Sequence, residues 1–252
     1  MTDLALTLVH LYPNLMNLYG DRGNIVCLLQ RAAWRGIVLT LETVTLGEHL
    51  KPDTTDMLFM GGGQDAQQCL IADDLIRKQA NPIRDAVAQG AVMLGICGGY
   101  QLMGHGYTPH EGRPLQGLSL MDVNTVAGST RMIGNVVIER LLPDGTTMTV
   151  VGFENHSGVT TLGPSVAPLG RVRVGSGNNG QDGTEGAVVG NLYGTYLHGS
   201  LLPKNPQLAD ELLIKALQRR YGGDAVLPPL LPEHTDKLET AAHLAAASRR
   251  AS

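Results

Sequence analysis

Short apolar runs alternate with amphipathic stretches through the first hundred residues: Leu4 to Val9, Ile25 to Trp34, Ile37 to Val44, Met57 to Met60. This is the rhythm of parallel strands joined by crossover helices. Helical character follows over 66–89, with a break expected at Asn81-Pro82, because a proline inside a helix removes a hydrogen bond and clashes with the preceding turn. A buried strand over Ala91 to Ile96 comes next.

Beyond about residue 115 the texture becomes β-rich, with glycines between the segments 118–126, 134–139, 148–153, 171–174 and 187–196. This half predicts an irregular or antiparallel extension of the sheet. A helix is then predicted from Asn205 to Tyr221: Asn205 as N-cap, Pro206 at the first helical position, Leu208, Leu212, Leu213 and Leu217 on one side, and Gly222 as the stop. The expected organisation is one α/β domain over 1–223, with a central, mostly parallel sheet flanked by helices, and a tail over 224–252 whose alanine-rich stretch at 240–248 is either a loosely docked helix or a partly disordered end.

Composition narrows the choice of partner. With 252 residues, 43% of them hydrophobic, a sizeable core is available. The net charge of -4 and the lack of basic clusters beyond Arg219-Arg220 and Arg249-Arg250 leave no electrostatic footprint for nucleic acid or an anionic membrane. No basic segment precedes the first apolar stretch and no window has the length of a membrane-spanning helix, so a cytoplasmic protein is expected. Cys27, Cys69 and Cys97 are widely spaced, which suits neither a disulfide framework nor a zinc knuckle and leaves room for one reactive thiol.

That thiol is Cys97. An apolar strand runs through Gly95-Ile-Cys97-Gly-Gly99 into a helical segment, the cysteine form of a nucleophile elbow. Small neighbours are required because the sharp strand-to-helix turn strains the backbone at the nucleophile and leaves no space for Cβ atoms. The helix N-terminus that follows favours a thiolate. Donors for an oxyanion are expected from the backbone N–H of Gly98 and of the loop Gly61-Gly62-Gly63, with Gly62 the candidate there. Neither G-x-G-x-x-G after the first strand nor G-x-x-x-x-G-K-[ST] occurs, so the chain carries no nucleotide-site motif. Among eight histidines, His198 in Gly194-Thr-Tyr-Leu-His-Gly-Ser closes a short apolar strand between glycines and is the best base; His156 is the second choice.

A glycine loop, G-x-C-x-G-x-Q and a late histidine together resemble the class I, or triad, glutamine amidotransferase family over about residues 55 to 200. Within it, Gly152-Phe-Glu-Asn-His-Ser-Gly-Val-Thr and Tyr193-Gly-Thr-Tyr-Leu-His-Gly resemble the cobyric acid synthase subgroup, in which the histidine lacks the glutamate of an H-P-E motif; here Gly199 and Ser200 follow His198. Leu11-Tyr-Pro-Asn-Leu-Met-Asn-Leu-Tyr-Gly-Asp-Arg-Gly-Asn24 and Gly61-Gly-Gly-Gln-Asp65 resemble the GatD family, glutaminase subunits of lipid II isoglutaminyl synthase. That resemblance implies a flavodoxin-like fold, L-glutamine as substrate, and Arg131 and Gln101 as substrate-binding residues. It further implies a Mur-ligase-like partner, MurT, which holds ATP and magnesium and amidates the D-glutamate of lipid II at the inner face of the membrane; no cofactor or metal is expected in this chain. Without the glutamate, the group that orients His198 is expected to be weak, absent or supplied by the partner, with low glutaminase activity until the complex forms. The competing readings are a cobyrinate or cobyric acid amidase subunit, a thiol hydrolase of another class, and a non-catalytic scaffold.

Overall fold

The computed structural model describes residues 4–142 and 144–249. Its chain runs β1 (Ala5–Leu11), α1 (Arg22–Ala33), β2 (Val38–Val44), β3 (Met57–Met60), α2 (Asp65–Asp74), α3 (Ala80–Ala88), β4 (Val92–Ile96) and α4 (Gly98–Met103). The β-rich half supplies β5 (Gly106–Thr108), β6 (Leu115–Gln116), β7 (Val123–Leu141), β8 (Thr147–Leu162), β9 (Gly170–Val174), β10 (Thr184–Glu185), β11 (Ala187–Val189) and β12 (Leu192–Thr195). Two helices close it, α5 (Pro206–Tyr221) and α6 (Lys237–Ala247).

The main sheet has the order β11-β12-β4-β3-β1-β2, parallel throughout except for the β11–β12 pair. Every residue of β3 and β4 is buried, as expected of parallel strands covered on both faces. The alternation of side chains splits these strands between two cores. Leu58, Met60 and Met93 meet Ile71, Leu75 and Ile83 from the α2–α3 side; Met57, Phe59, Val92 and Leu94 meet Leu28 of α1 and Leu208 and Leu212 of α5. Four segments therefore arrive at one carboxyl edge, where open α/β sheets place their sites: the turn after β1, the glycine loop after β3, the elbow after β4, and the segment after β12, with β8 of the second sheet crossing beside it.

Several elements differ from the sequence reading. The helix expected to break at Asn81-Pro82 instead widens into a π turn over Leu75–Gln79. Pro82 then sits in the first turn of α3, where its missing N–H is not required. The segment 187–196, expected in the β-rich extension, instead forms a hairpin around Gly190 (φ +58°) that inserts β12 parallel to β4 in the main sheet. The second sheet is built on the long antiparallel β7–β8 hairpin. Its register shifts between Ala127 and Met132, a bulge of the kind that re-aims side chains beside sites. Asn205 precedes α5 as expected but makes no side-chain cap: its amide bonds the N–H and C=O of Val151 and the C=O of Leu201, tying the helix start to β8. Gly222 ends α5 at φ +104°.

Candidate active site

Cys97 follows directly on β4 with φ 50° and ψ -103°, a conformation that costs a non-glycine residue about 1–3 kcal/mol. The glycines around it are required by contact. A Cβ on Gly95 would lie 2.4 Å from the Met103 sulfur, and one on Gly99 would lie 2.1 Å from the Met60 carbonyl oxygen. The elbow thus packs α4 against the end of β3, and the half-buried thiol faces a cleft.

His198 lies three residues past Thr195, the end of β12, and its backbone exchanges hydrogen bonds with Phe153 of β8 (2.8 and 3.4 Å). Its imidazole is fully buried. Nδ1 is 3.2 Å from Oδ1 of Asp21, itself fully buried in the turn between β1 and α1. A carboxylate only accepts, so the proton of this bond sits on Nδ1 and Nε2 is left for the thiol. Among the described residues Nε2 has no hydrogen-bond partner, and Cys97 stands close enough to act on the imidazole charge. Burial opposes the charged imidazolium, but the bond to Asp21 and the neighbouring Cys97 outweigh it and push the His198 pKa up to about 10.

Gly62 lies where the three side chains meet: a Cβ there would be 2.7 Å from His198 Cε1, 3.1 Å from Asp21 Oδ2 and 3.6 Å from Cys97 Cβ. Its N–H, expected as an oxyanion donor, is instead donated to Asp21 Oδ2 at 2.7 Å. The amides left free beside the thiol are those of Gly63 and Gly98, neither of which donates to a protein acceptor among the described residues. Gly63 N would be 2.9 Å from a Cβ on Gly98, so the two amides are neighbours.

The cleft has a volume of about 340 Å³, and Tyr19, Asp65, Cys97, Gln101, Arg131 and Asn155 are among its walls. Arg131 belongs to the unpaired stretch of the β7 bulge, with Nε donated to Asn155 Oδ1 (2.7 Å) and Nη2 to the Tyr19 hydroxyl (3.1 Å). Gln101 is buried and its amide is already engaged: Oε1 accepts from Gln68 Nε2 (2.9 Å), and Nε2 donates to the Tyr196 hydroxyl (3.3 Å). It buttresses the wall beneath the elbow. His156 stacks on the Tyr196 ring (3.6 Å between centroids, 6°) and its Nδ1 bonds the Gly158 carbonyl.

Two residues were missed from sequence, Asp21 and Tyr19. Both lie in the Leu11 to Asn24 stretch singled out for its resemblance, but nothing in their spacing points to a histidine 177 residues away. The expectation of a weak, absent or partner-supplied orienter is corrected by Asp21, which stands in the same chain.

Comparison with known proteins agrees with this geometry. The profile described as the CobB/CobQ-like glutamine amidotransferase domain matches residues 7–206. The chain belongs to this glutamine amidotransferase family. Within it, the chain is 40% identical over 224 residues (88% of the chain, 85% of the relative) to the glutamine-hydrolysing GatD subunit of lipid II isoglutaminyl synthase from Streptococcus pneumoniae. It is 41% identical over 215 residues (85% and 86%) to the Staphylococcus aureus subunit of the same name. A probable cobyric acid synthase from Methanothermobacter thermautotrophicus is 36% identical over 144 residues, which span 50% of this chain and 27% of that protein. Among solved structures, a chain of PurLQS from Thermotoga maritima shares the fold at a TM-score of 0.53 and 18% identity, covering 86% of this chain and 96% of that one.

Proposed function

We propose that this chain is the glutaminase subunit of a lipid II isoglutaminyl synthase. One observation carries the glutaminase chemistry: the buried Asp21–His198 pair, whose imidazole stands beside Cys97 in the wall of a cleft. Cys97 thiolate attacks the carboxamide carbon of L-glutamine, and the N–H groups of Gly63 and Gly98 hold the oxyanion. His198, having taken the thiol proton, returns it to the departing ammonia, then activates the water that releases glutamate from the thioester. Arg131 receives the α-carboxylate through two parallel N–H bonds, and Asp65, the acidic residue of the wall, offers the opposite charge to the α-ammonium.

The choice of acceptor rests on coverage. The chain aligns with 85% and 86% of the two GatD subunits, but with only 27% of the cobyric acid synthase. Ammonia in this reading passes to a MurT-like partner that binds ATP and magnesium and amidates the D-glutamate of lipid II, in the cytoplasm at the inner face of the membrane. Among the described residues, no helix is long and apolar enough to cross a membrane. The test uses the chain together with its co-purified partner, lipid II, ATP and glutamine labelled at the amide nitrogen. Label in amidated lipid II supports the reading; label released only as free ammonia, with the acceptor unchanged, contradicts it.

A further inference from the structure

The turn that supplies Asp21 also carries Tyr19. It is pinned to the glycine loop, since Leu18 N–H donates to the Gly62 carbonyl (3.1 Å), and it closes on itself through Asp21 N–H to Leu18 C=O (3.1 Å). Tyr19 has φ +52° and is followed by Gly20 at φ +82°. Its ring meets the His198 imidazole edge-on, with centroids 5.1 Å apart and planes at 77°. Its hydroxyl, at the other end, accepts from Arg131 Nη2 at 3.1 Å. One side chain therefore spans the cleft from the imidazole to the guanidinium.

The charge at that far end is uncompensated. Both oxygens that hold Arg131 are neutral, the Asn155 amide and the Tyr19 phenol, and no carboxylate pairs with it among the described residues. A guanidinium fixed by two neutral acceptors at the wall of a cleft is an anion seat with its geometry set in advance. A phenol beside it has a proton to donate once the arginine turns to an anion.

We propose that Tyr19 is a specificity-determining residue, the second half of a clamp for the α-carboxylate of the substrate. When an α-amino acid amide enters, the Tyr19 hydroxyl ceases to accept from Arg131 and donates to the carboxylate, while its ring stays against His198 and closes that side of the site. The inference rests on the glutaminase reading and on Arg131 as the carboxylate seat.

The test compares wild type with Tyr19→Phe, which keeps the ring and removes only the hydroxyl. Glutamine hydrolysis is measured alongside the rates at which Cys97 is alkylated by two electrophiles: a diazo ketone analogue of glutamine, which carries the α-carboxylate, and iodoacetamide, which does not. Loss of one charge-assisted hydrogen bond predicts a KM for glutamine about tenfold higher with kcat within about twofold. Diazo ketone labelling slows about tenfold and iodoacetamide labelling is unchanged. Equal slowing by both reagents, or no change in either, overturns the clamp. A wild-type chain that neither hydrolyses glutamine nor reacts with the diazo ketone overturns the glutaminase reading itself.

Discussion

Asp21 decides how His198 works. Its Oδ1 fixes the proton on Nδ1, and its Oδ2 takes the Gly62 N–H, so the same carboxylate orients the base and shapes the glycine loop over it. Asp21→Asn preserves volume and an acceptor but removes the charge that supports the imidazolium. Glutamine turnover is predicted to fall about 10²–10³-fold, measured as glutamate release. The pH dependence of stability follows. His198 is raised from 6.5 to about 10 in the folded chain, so its contribution is fully present below about 6.5 and is lost as pH rises through about 10. Wild type is expected to lose stability over that window in urea titrations, and Asp21→Asn to lose less; identical slopes would contradict the pairing. Cys97 and His198 were legible in sequence because local glycines mark them. Asp21 and Tyr19 were not, since their partners lie far along the chain, and the use of the Gly62 N–H is a tertiary fact with no sequence mark.

The end of β12 shows how an element delivers a side chain. Glu185, wholly buried, accepts from the Thr195 hydroxyl (2.9 and 3.0 Å) and from Tyr196 N–H (2.7 Å), while the Thr195 hydroxyl oxygen accepts from Leu197 N–H (3.0 Å). This fastens the three residues before His198. Burial raises the Glu185 carboxyl from 4.5 to about 7, outweighing those hydrogen bonds. Its contribution to stability is thus fully present below about 4.5 and is lost as pH rises through about 7. Glu185→Gln stays neutral and can still accept from Tyr196. Thermal midpoints should therefore match wild type near pH 4.5 and exceed it above about pH 7; parallel profiles would show that Glu185 does not titrate there. The strands of the first hundred residues were readable because continuous apolar runs carry their own signature. The β character of 187–196 is legible in its sequence but its sheet is not, because a hairpin at Gly190 says nothing about which neighbour it will join.

For the whole molecule, the α/β class and the position of the site at one sheet edge followed from strand rhythm and the elbow. The docking of the tail did not. Arg31, buried in α1, pairs with Asp210 of α5 and with Asp236 just before α6, and Trp34 stacks on His234 (5.1 Å between centroids). His243 of α6 bridges the Lys204 carbonyl and the Thr149 hydroxyl. The tail thereby lies along α1 and the turn after His198, held by polar contacts that its alanine-rich sequence did not reveal. These contacts surround a thiol, an imidazole and a carboxylate of a single chain, which together hydrolyse glutamine in the proposed reaction. The most direct measurement is ammonia release from L-glutamine by the purified chain and by Cys97→Ala. Turnover is expected from the first and none from the second, whereas turnover that persists without the Cys97 thiol would contradict this chemistry.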